Sequence, residues 1–312
     1  MQNPRPISVF KNTTAGKRKK SQRFLSGSFV DTVGSVWPIL RRIVLYMFLT
    51  GATILMSVPL FWMVSTSLKT LEESNSPGIV WLPKQPTLEA YTNILHNPDF
   101  MRSYFNTIFY TSLALVGTLL SIAVVAYAFS RIEWPGRNFV FFLMLSTMMI
   151  PPQALIVPQY VFFNKLDWIG TFNPIIIPGY FAGGAAMVFL LRQSMAQIPK
   201  ELDESAFVDG ANHLQIFWEI IMPLVKAPLA TVATFLFVGY WNSLLAPLMY
   251  LQTIDLYTLP VYMTTLYNIN LTVQQWPTIM AAAVLTTVPL MIVFFFAQRF
   301  ILESVVISGL KG

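Results

Sequence analysis

The chain has 312 residues, 55% of them hydrophobic and 11% charged, with a mean hydropathy of +0.58. Soluble domains carry about 25% charged residues, so this is the composition of a membrane protein. The net charge of +6 sits in a tail and short loops with no basic–aromatic stripe, which argues against nucleic acid, and the absence of cysteine removes disulfides, thiolate zinc sites and thiol catalysis.

The N-terminal segment 1–42 holds nine of the twenty Lys and Arg residues. Its stretch KNTTAGKRKKSQRF (11–24) is basic with no apolar period and reads as a cytoplasmic tail on an anionic membrane surface. Six apolar stretches follow, at about 43–68, 105–130, 138–163, 174–191, 227–251 and 278–298. Each is near the roughly 20 residues that a bilayer core needs, which predicts an all-α integral membrane protein with six transmembrane helices. The first run is too long and too far from the start to be a cleaved leader. With the N-terminus inside, the inside segments carry sixteen Lys and Arg and the outside loops four, a bias that places both termini in the cytoplasm. The membrane domain is then 43–300, with a cytoplasmic loop at 192–226, a cytoplasmic tail at 301–312, and outward loops at 69–104 and 252–277.

Proline lies in or beside most spans, at Pro59, Pro151, Pro152, Pro158, Pro178, Pro228, Pro247 and Pro289. Each removes a backbone donor, and such breaks persist only where neighbours or a wet cavity satisfy the freed carbonyls. MMIPPQALIVPQY (148–160), with Gln153, is either an ordinary kinked helix or a bent wall of a transport path. TFLFVGYWNSLLAPLMY (234–250) places Tyr240, Trp241, Asn242 and Ser243 mid-span, where Asn242 needs an interhelical partner or water; packing and cavity lining both remain open. GYFAGGAAMVFLL (179–191) offers Ala182, Gly183, Ala185 and Ala186 as a close-packing face. No span contains an ionisable residue. Proton carriers and anion pathways need such residues, although broken helices can hold sodium through carbonyls. Aromatics, amides and hydroxyls suit a neutral polyhydroxylated solute.

ELDESAFVDGANHLQIFWEIIMPL (201–224) holds five of the fourteen acids. Pro199 suits a first helical position, and Glu201, Asp203 and Glu204 suit a helix N-terminus. Gly210 suits the left-handed residue after a helix, and Asn212 with Gln215 predicts a capping box. Leu214, Phe217, Trp218 and Ile221 form an apolar stripe at α-helical spacing. An acid-rich polar face fits a protein partner better than anionic lipid. His96 and His213, on opposite faces of the membrane, read as exposed and without a special role.

Here the spacing becomes specific. Glu204-Ser205-Ala206, Gly210, Ile220 and Met222-Pro223 resemble the EAA loop of ABC importer permeases. WNSLLAPL (241–248) and the ending AQRFILESVVISGLKG (297–312) resemble the carbohydrate branch, in particular its maltose-type second permease. Ser205 and Ser243 depart from the family's Ala and Asp.

The resemblance implies a type I ABC importer permease for a sugar or oligosaccharide, in the cell membrane, that is not itself an enzyme. It makes Glu204, Ser205, Ala206, Asp209, Gly210, Leu214, Phe217 and Trp218 the ATPase-coupling residues, with Gly309, Lys311 and Gly312 reaching the ATPase. Gln153 and Tyr240 to Ser243 are the substrate-path candidates. The implied partners are a second permease chain, two ABC ATPase subunits that hold ATP and magnesium, an extracytoplasmic solute-binding protein that the aromatic loop 252–277 could receive, and membrane lipid. The chain has no phosphate-binding G-x-x-x-x-G-K-[ST] loop, no metal cluster, and is expected to bind no cofactor. A permease for another organic solute, such as a glycerol-phosphate ester, predicts cations at the cavity; an ion-coupled carrier predicts ionisable residues in the spans.

Overall fold

The computed structural model describes the backbone of residues 24–270 and 275–309, and the side chains of 39–269 and 275–301. Among the described residues every regular element is helical. Four helical segments are long and apolar enough to cross a membrane, or six if each of two bent pairs counts as one span. The chain divides into two compact units, Met1–Phe61 and Trp62–Gly312. The part of the helix α1 (Phe24–Ser67) that belongs to the first carries apolar side chains that are nearly all exposed from 39 to 61, a surface fit for lipid or another chain.

In the second unit, α2 (Glu89–Leu95) leads into α3 (Pro98–Arg131), the central rod. At 1.5 Å per residue its 34 residues span about 50 Å, more than a bilayer core. Its start is specified locally: the Asn97 side chain accepts from the backbone of Asp99 and Phe100, and Pro98 occupies the first turn, where no donor is lost. Small residues line its buried stripe, with Thr107, Ala114, Thr118 and Ala126 all at or near zero exposure. Helices can therefore approach closely. At Gly117 a Cβ would fall 1.9 Å from the Tyr180 ring, so only glycine admits that ring.

The spans that follow are more broken than their apolar length suggests. The 138–163 stretch is α4 (Arg137–Ser146) and α5 (Ile156–Lys165), joined through short 3-10 turns and bent by 92°. This is far more than a proline kink. Pro152 opens the turn 152–155 and Pro158 lies in the first turn of α5, so these prolines start new helices and do not distort one.

The 174–191 stretch is likewise not one helix. A 3-10 turn at Ile177–Tyr180 ends in an excursion through Ala182, Gly183 and Gly184, all at positive φ, before α6 (Ala185–Ala196). The predicted small-residue face is real but lies earlier. Gly179 and Gly183 abut Thr118, and the Ala182 amide donates to Ser121 (2.8 Å), whereas Ala186 is exposed.

After α7 (Glu201–Val208) and the segment 213–224 comes α8 (Lys226–Trp241), turned 83° from that segment. The expected span 227–251 stops at Trp241, and Leu245–Tyr250 forms a separate short helix. The chain then continues through α9 (Leu259–Asn270) to α10 (Trp276–Gly309), with Pro289 inside it. Three buried clusters hold the unit together, and α3 contributes to each, through Phe100, Tyr110 and Ile122 respectively.

Candidate functional site

The segment 198–224 folds as a helical hairpin from purely local signals. Glu201, Asp203 and Glu204 occupy the first turn of α7, where carboxylates meet the positive end of the helix dipole. Lys200 is the N-cap and Glu201 the first helical residue, so Pro199 stands two residues before the position expected of it. The helix ends in a complete Schellman motif. Gly210 has φ +86°, its amide donates to the Phe207 carbonyl (3.0 Å), and the Ala211 amide donates to Ala206 (2.9 Å). Asn212 then restarts the chain: its side chain accepts from Leu214 and Gln215, and Gln215 returns a bond to the Asn212 amide at 2.9 Å. This is the predicted capping box.

The second arm departs from the expected α-helix. Residues Ile216–Ile221 form a π-turn, and the Met222 amide donates to Phe217, five residues back. Pro223 explains it: proline has no N–H and its ring presses on the carbonyl four residues earlier, that of Glu219, so a wider turn is favoured. The predicted apolar stripe is split as a result. Phe217 (3% exposed) and Ile221 (0%) are buried with Ile216, while Leu214 (66%) and Trp218 (48%) face outward.

Leu202, Phe207 and Val208 are exposed as well, and so are the acids Glu201, Glu204, Asp209 and Glu219 of the same segment. Of the other candidates, Glu204, Ser205 and Gly210 are exposed, and the Ser205 hydroxyl donates to the Leu202 carbonyl of its own helix (3.0 Å). Ala206 instead packs inward. His213 is exposed yet wedged between rings, edge-on to Phe207 (4.9 Å) and Tyr127 (6.4 Å), with Nδ1 3.4 Å from the Tyr127 hydroxyl.

Arg131, which sequence reasoning did not select, and Asp203, which it read only as a helix-start acid, fasten this hairpin to the rod. Arg131, the last residue of α3, has a side chain only 1% exposed. It donates to the carbonyls of Ile198 (2.9 Å) and Pro199 (3.5 Å), and its Nε lies 3.4 Å from the Asp203 carboxylate. Asp203 and Ala206, three apart, form the buried face of α7. That spacing was the available signal. A second, exposed pair joins Lys200 to Glu133 at 2.8 Å, and that bond holds the Glu133 carboxyl below its ordinary range.

The substrate-path candidates divide. Tyr240 is half-buried, its hydroxyl 2.8 Å from that of Thr118 and its ring edge-on to Tyr110. Asn242 is exposed at the break after α8 and bonds back to the Val238 carbonyl, with Ser243 half-buried beside it. Trp241 does not line an open face. It is 2% exposed, stacks on Phe237, and its indole N–H donates to the Thr286 carbonyl (3.1 Å), near the gap that Pro289 leaves in the α10 ladder. Gln153 is exposed on the separate 152–155 turn. Gly309 closes α10, while Lys311 and Gly312 lie outside the described residues, as does the basic stretch 11–23.

On the opposite side of α3, loop residues are held to its first turns. Asn106 donates to the carbonyls of Asp255 (2.8 Å) and Tyr257 (3.1 Å), Arg102 pairs with Asp255, and the buried Thr107 hydroxyl accepts from the Leu259 amide (2.6 Å). Lys69, 3% exposed, donates to the Val80 carbonyl (2.6 Å) and lies 4.3 Å over the Trp62 ring. Burial lowers its pKa, partly offset by Glu73.

Residues 117–306 match the profile of the binding-protein-dependent transport system inner membrane components. The arabinooligosaccharides transport system permease protein AraQ of Halalkalibacterium halodurans is 32% identical over 81% of this chain and 91% of its own length. The trehalose/maltose transport system permease protein MalG of Thermococcus litoralis is 29% identical, over 88% and 98%. The galactooligosaccharides transport system permease protein GanQ of Bacillus subtilis is 30% identical, over 88% and 96%. Among solved structures, a chain of a bacterial ABC transporter involved in the import of the acidic polysaccharide alginate superposes with a TM-score of 0.74 at 28% identity, over 86% of this chain and 97% of that one.

Proposed function

The chain belongs to the binding-protein-dependent transport system inner membrane components, and from that premise we propose that it is the permease subunit of an ATP-driven importer for a sugar or oligosaccharide. The observation that carries the mechanism is the 198–224 hairpin, a locally specified knob that exposes both apolar and acidic side chains. Such a surface fits a cleft on a partner ATPase. ATP binding closes the ATPase pair, the knob follows its cleft, and the broken spans reorganise between inward- and outward-facing states. The cleft must hold the knob with different free energy in the two states, or ATP would shift nothing.

The chain carries no chemistry of its own in this scheme; ATP and magnesium reside in two ATPase subunits. A second permease chain supplies the other half of the path, and a solute-binding protein delivers the sugar from outside, to the face that includes the 252–277 loop. The Lys and Arg bias supports a cytoplasmic N-terminus. Relatives named for arabino- and galactooligosaccharides and for trehalose and maltose, together with the neutral spans, support a sugar over a phosphate ester.

The test is uptake of labelled oligosaccharides by cells that express the chain with its partner subunits. Gly210→Val should abolish uptake, because a β-branched residue at φ +86° breaks the turn. Full uptake by Gly210→Val, with the ATPase still co-purifying, would refute the coupling role.

A further inference from the structure

We propose that Arg131 is a positioning residue of the transport cycle: through Asp203 and the carbonyls of Ile198 and Pro199, it makes the coupling hairpin and the central helix α3 move as one body. This rests on the permease reading above.

The argument starts from what the chain avoids. The spans exclude charge, yet a guanidinium lies almost fully buried at the last residue of α3, facing a carboxylate that is 12% exposed. Burying two charges usually stabilises little compared with an apolar pair of the same volume. A fold in need of stability alone would use leucine or methionine here. A guanidinium supplies something that an apolar side chain lacks: a rigid planar fork of five donors.

The fork is used across three chain positions. One nitrogen donates to Ile198 and another to Pro199, while Nε lies in an ion pair with Asp203 at 3.4 Å without a hydrogen bond. The first two precede α7 and the third lies inside it, so the fork fixes both the position and the rotation of the hairpin's first arm. The attached end of α3 is equally stiff. Ser130 bonds the Tyr127 carbonyl, and Tyr127 meets Phe217 of the second arm edge-on at 5.2 Å.

Apart from the exposed Lys200–Glu133 pair, the connection from 197 to 200 is otherwise weak. The amides of Gln197 and Ile198 make only turn bonds, to Ser194 (3.3 Å) and Met195 (3.2 Å). Without Arg131 the hairpin would keep its Schellman turn and capping box, because those are local. It would remain a well-formed knob for the ATPase, held to α3 by non-directional apolar packing and the exposed Lys200–Glu133 pair but without the fork. The inference therefore separates two events: docking of the ATPase, which the knob provides, and transmission of its motion, which Arg131 provides.

The experiment uses the assembled transporter in nanodiscs with three forms of this chain: wild type, Arg131→Met, and Arg131→Met with Asp203→Leu. The double variant removes both buried charges, so its thermal stability should return toward wild type. ATPase co-purification, ATP hydrolysis, its stimulation by the solute-binding protein, and uptake of maltotriose, galactotriose and arabinotriose are measured for each. Both variants should retain the ATPase and hydrolyse ATP, lose stimulation by the binding protein, and import at least about tenfold less sugar per ATP, as expected for a lost charge-assisted contact. If the stable double variant imports normally, Arg131 is structural only and the proposal fails. If uptake and hydrolysis fall together in proportion to the amount of assembled complex, it fails equally.

A readout that needs no sugar keeps this distinct from the permease assignment. The chain has no cysteine, so spin labels at Glu201→Cys, in the first arm but apart from its apolar side chains, and at Val124→Cys, both exposed, report the distance from hairpin to rod. Wild type should give one narrow distance with and without ATP, and Arg131→Met a broad one. Identical narrow distributions overturn the proposal, even if no sugar is ever transported. A broadened distribution in a transporter that imports none of the sugars keeps Arg131 as the strut and refutes the substrate assignment.

Discussion

Among the described residues two cations are buried, Lys69 beyond the end of α1 and Arg131 at the end of α3, and they are held in different ways. Lys69 makes one hydrogen bond to a carbonyl and rests on an indole ring. Arg131 meets two carbonyls and a buried carboxylate. A lysine is a point charge that can discard its proton when buried, whereas an arginine keeps its charge at every accessible pH and bonds several groups at fixed angles. The first is a clasp on one loop; the second ties together two helices that must share a motion. Burial alone does not measure what a charge does; the number of separate chain segments it contacts does.

The comparison breaks most readily at Arg131. Arg131→Met leaves Asp203 buried without its cation and should destabilise the assembled protein by about 3–5 kcal/mol, read from its thermal unfolding midpoint in nanodiscs. A loss under ~1 kcal/mol would make the two cations equivalent. Lys69→Met should cost much less, within roughly 1 kcal/mol, because the lost bond to Val80 is offset by relief of a desolvated ammonium.

Its pH dependence sharpens the contrast. Burial, opposed in part by Glu73, lowers the Lys69 pKa from 10.5, so the folded state binds the proton less tightly than the unfolded state. Wild-type stability, measured relative to Lys69→Met, should therefore rise with pH through the lowered folded value and level off above 10.5. A flat or falling difference would contradict the burial argument. The smallest effect belongs to a cation in water: Arg102→Ala breaks the exposed pair with Asp255 and should cost about 0.5 kcal/mol or less, vanishing at high salt.

Much of this was legible in the chain itself. The left-handed Gly210, the Asn212–Gln215 box and the acidic first turn of α7 depend on neighbours within four residues, and local rules capture such features. Apolar length located the spans but not their continuity. The 92° bend at Ile150–Pro151 and the excursion at 182–184 depend on what packs against them, such as Thr118 against Gly183. Trp241 read as a path residue because its neighbours are polar. Only the fold reveals that Thr286, 45 residues away, accepts its proton. Arg131 was missed for the same reason: its partners lie 67 to 72 residues on, and its place at the end of an apolar run made it look like a boundary marker.

The π-turn at Ile216–Ile221 has a consequence for phase. Each residue of an α-helix advances the side chain by about 100°, and a π-turn holds roughly one residue more than an α-turn. It therefore offsets the residues on its two sides by about that angle. One short segment thereby serves two clients: Phe217 and Ile221 belong to the membrane body, and Leu214 and Trp218 to the outside. Restoring regular α-helical turns over 216–221, as Pro223→Ala would favour, would bring all four back onto one face, and the knob would lose either its root or its grip.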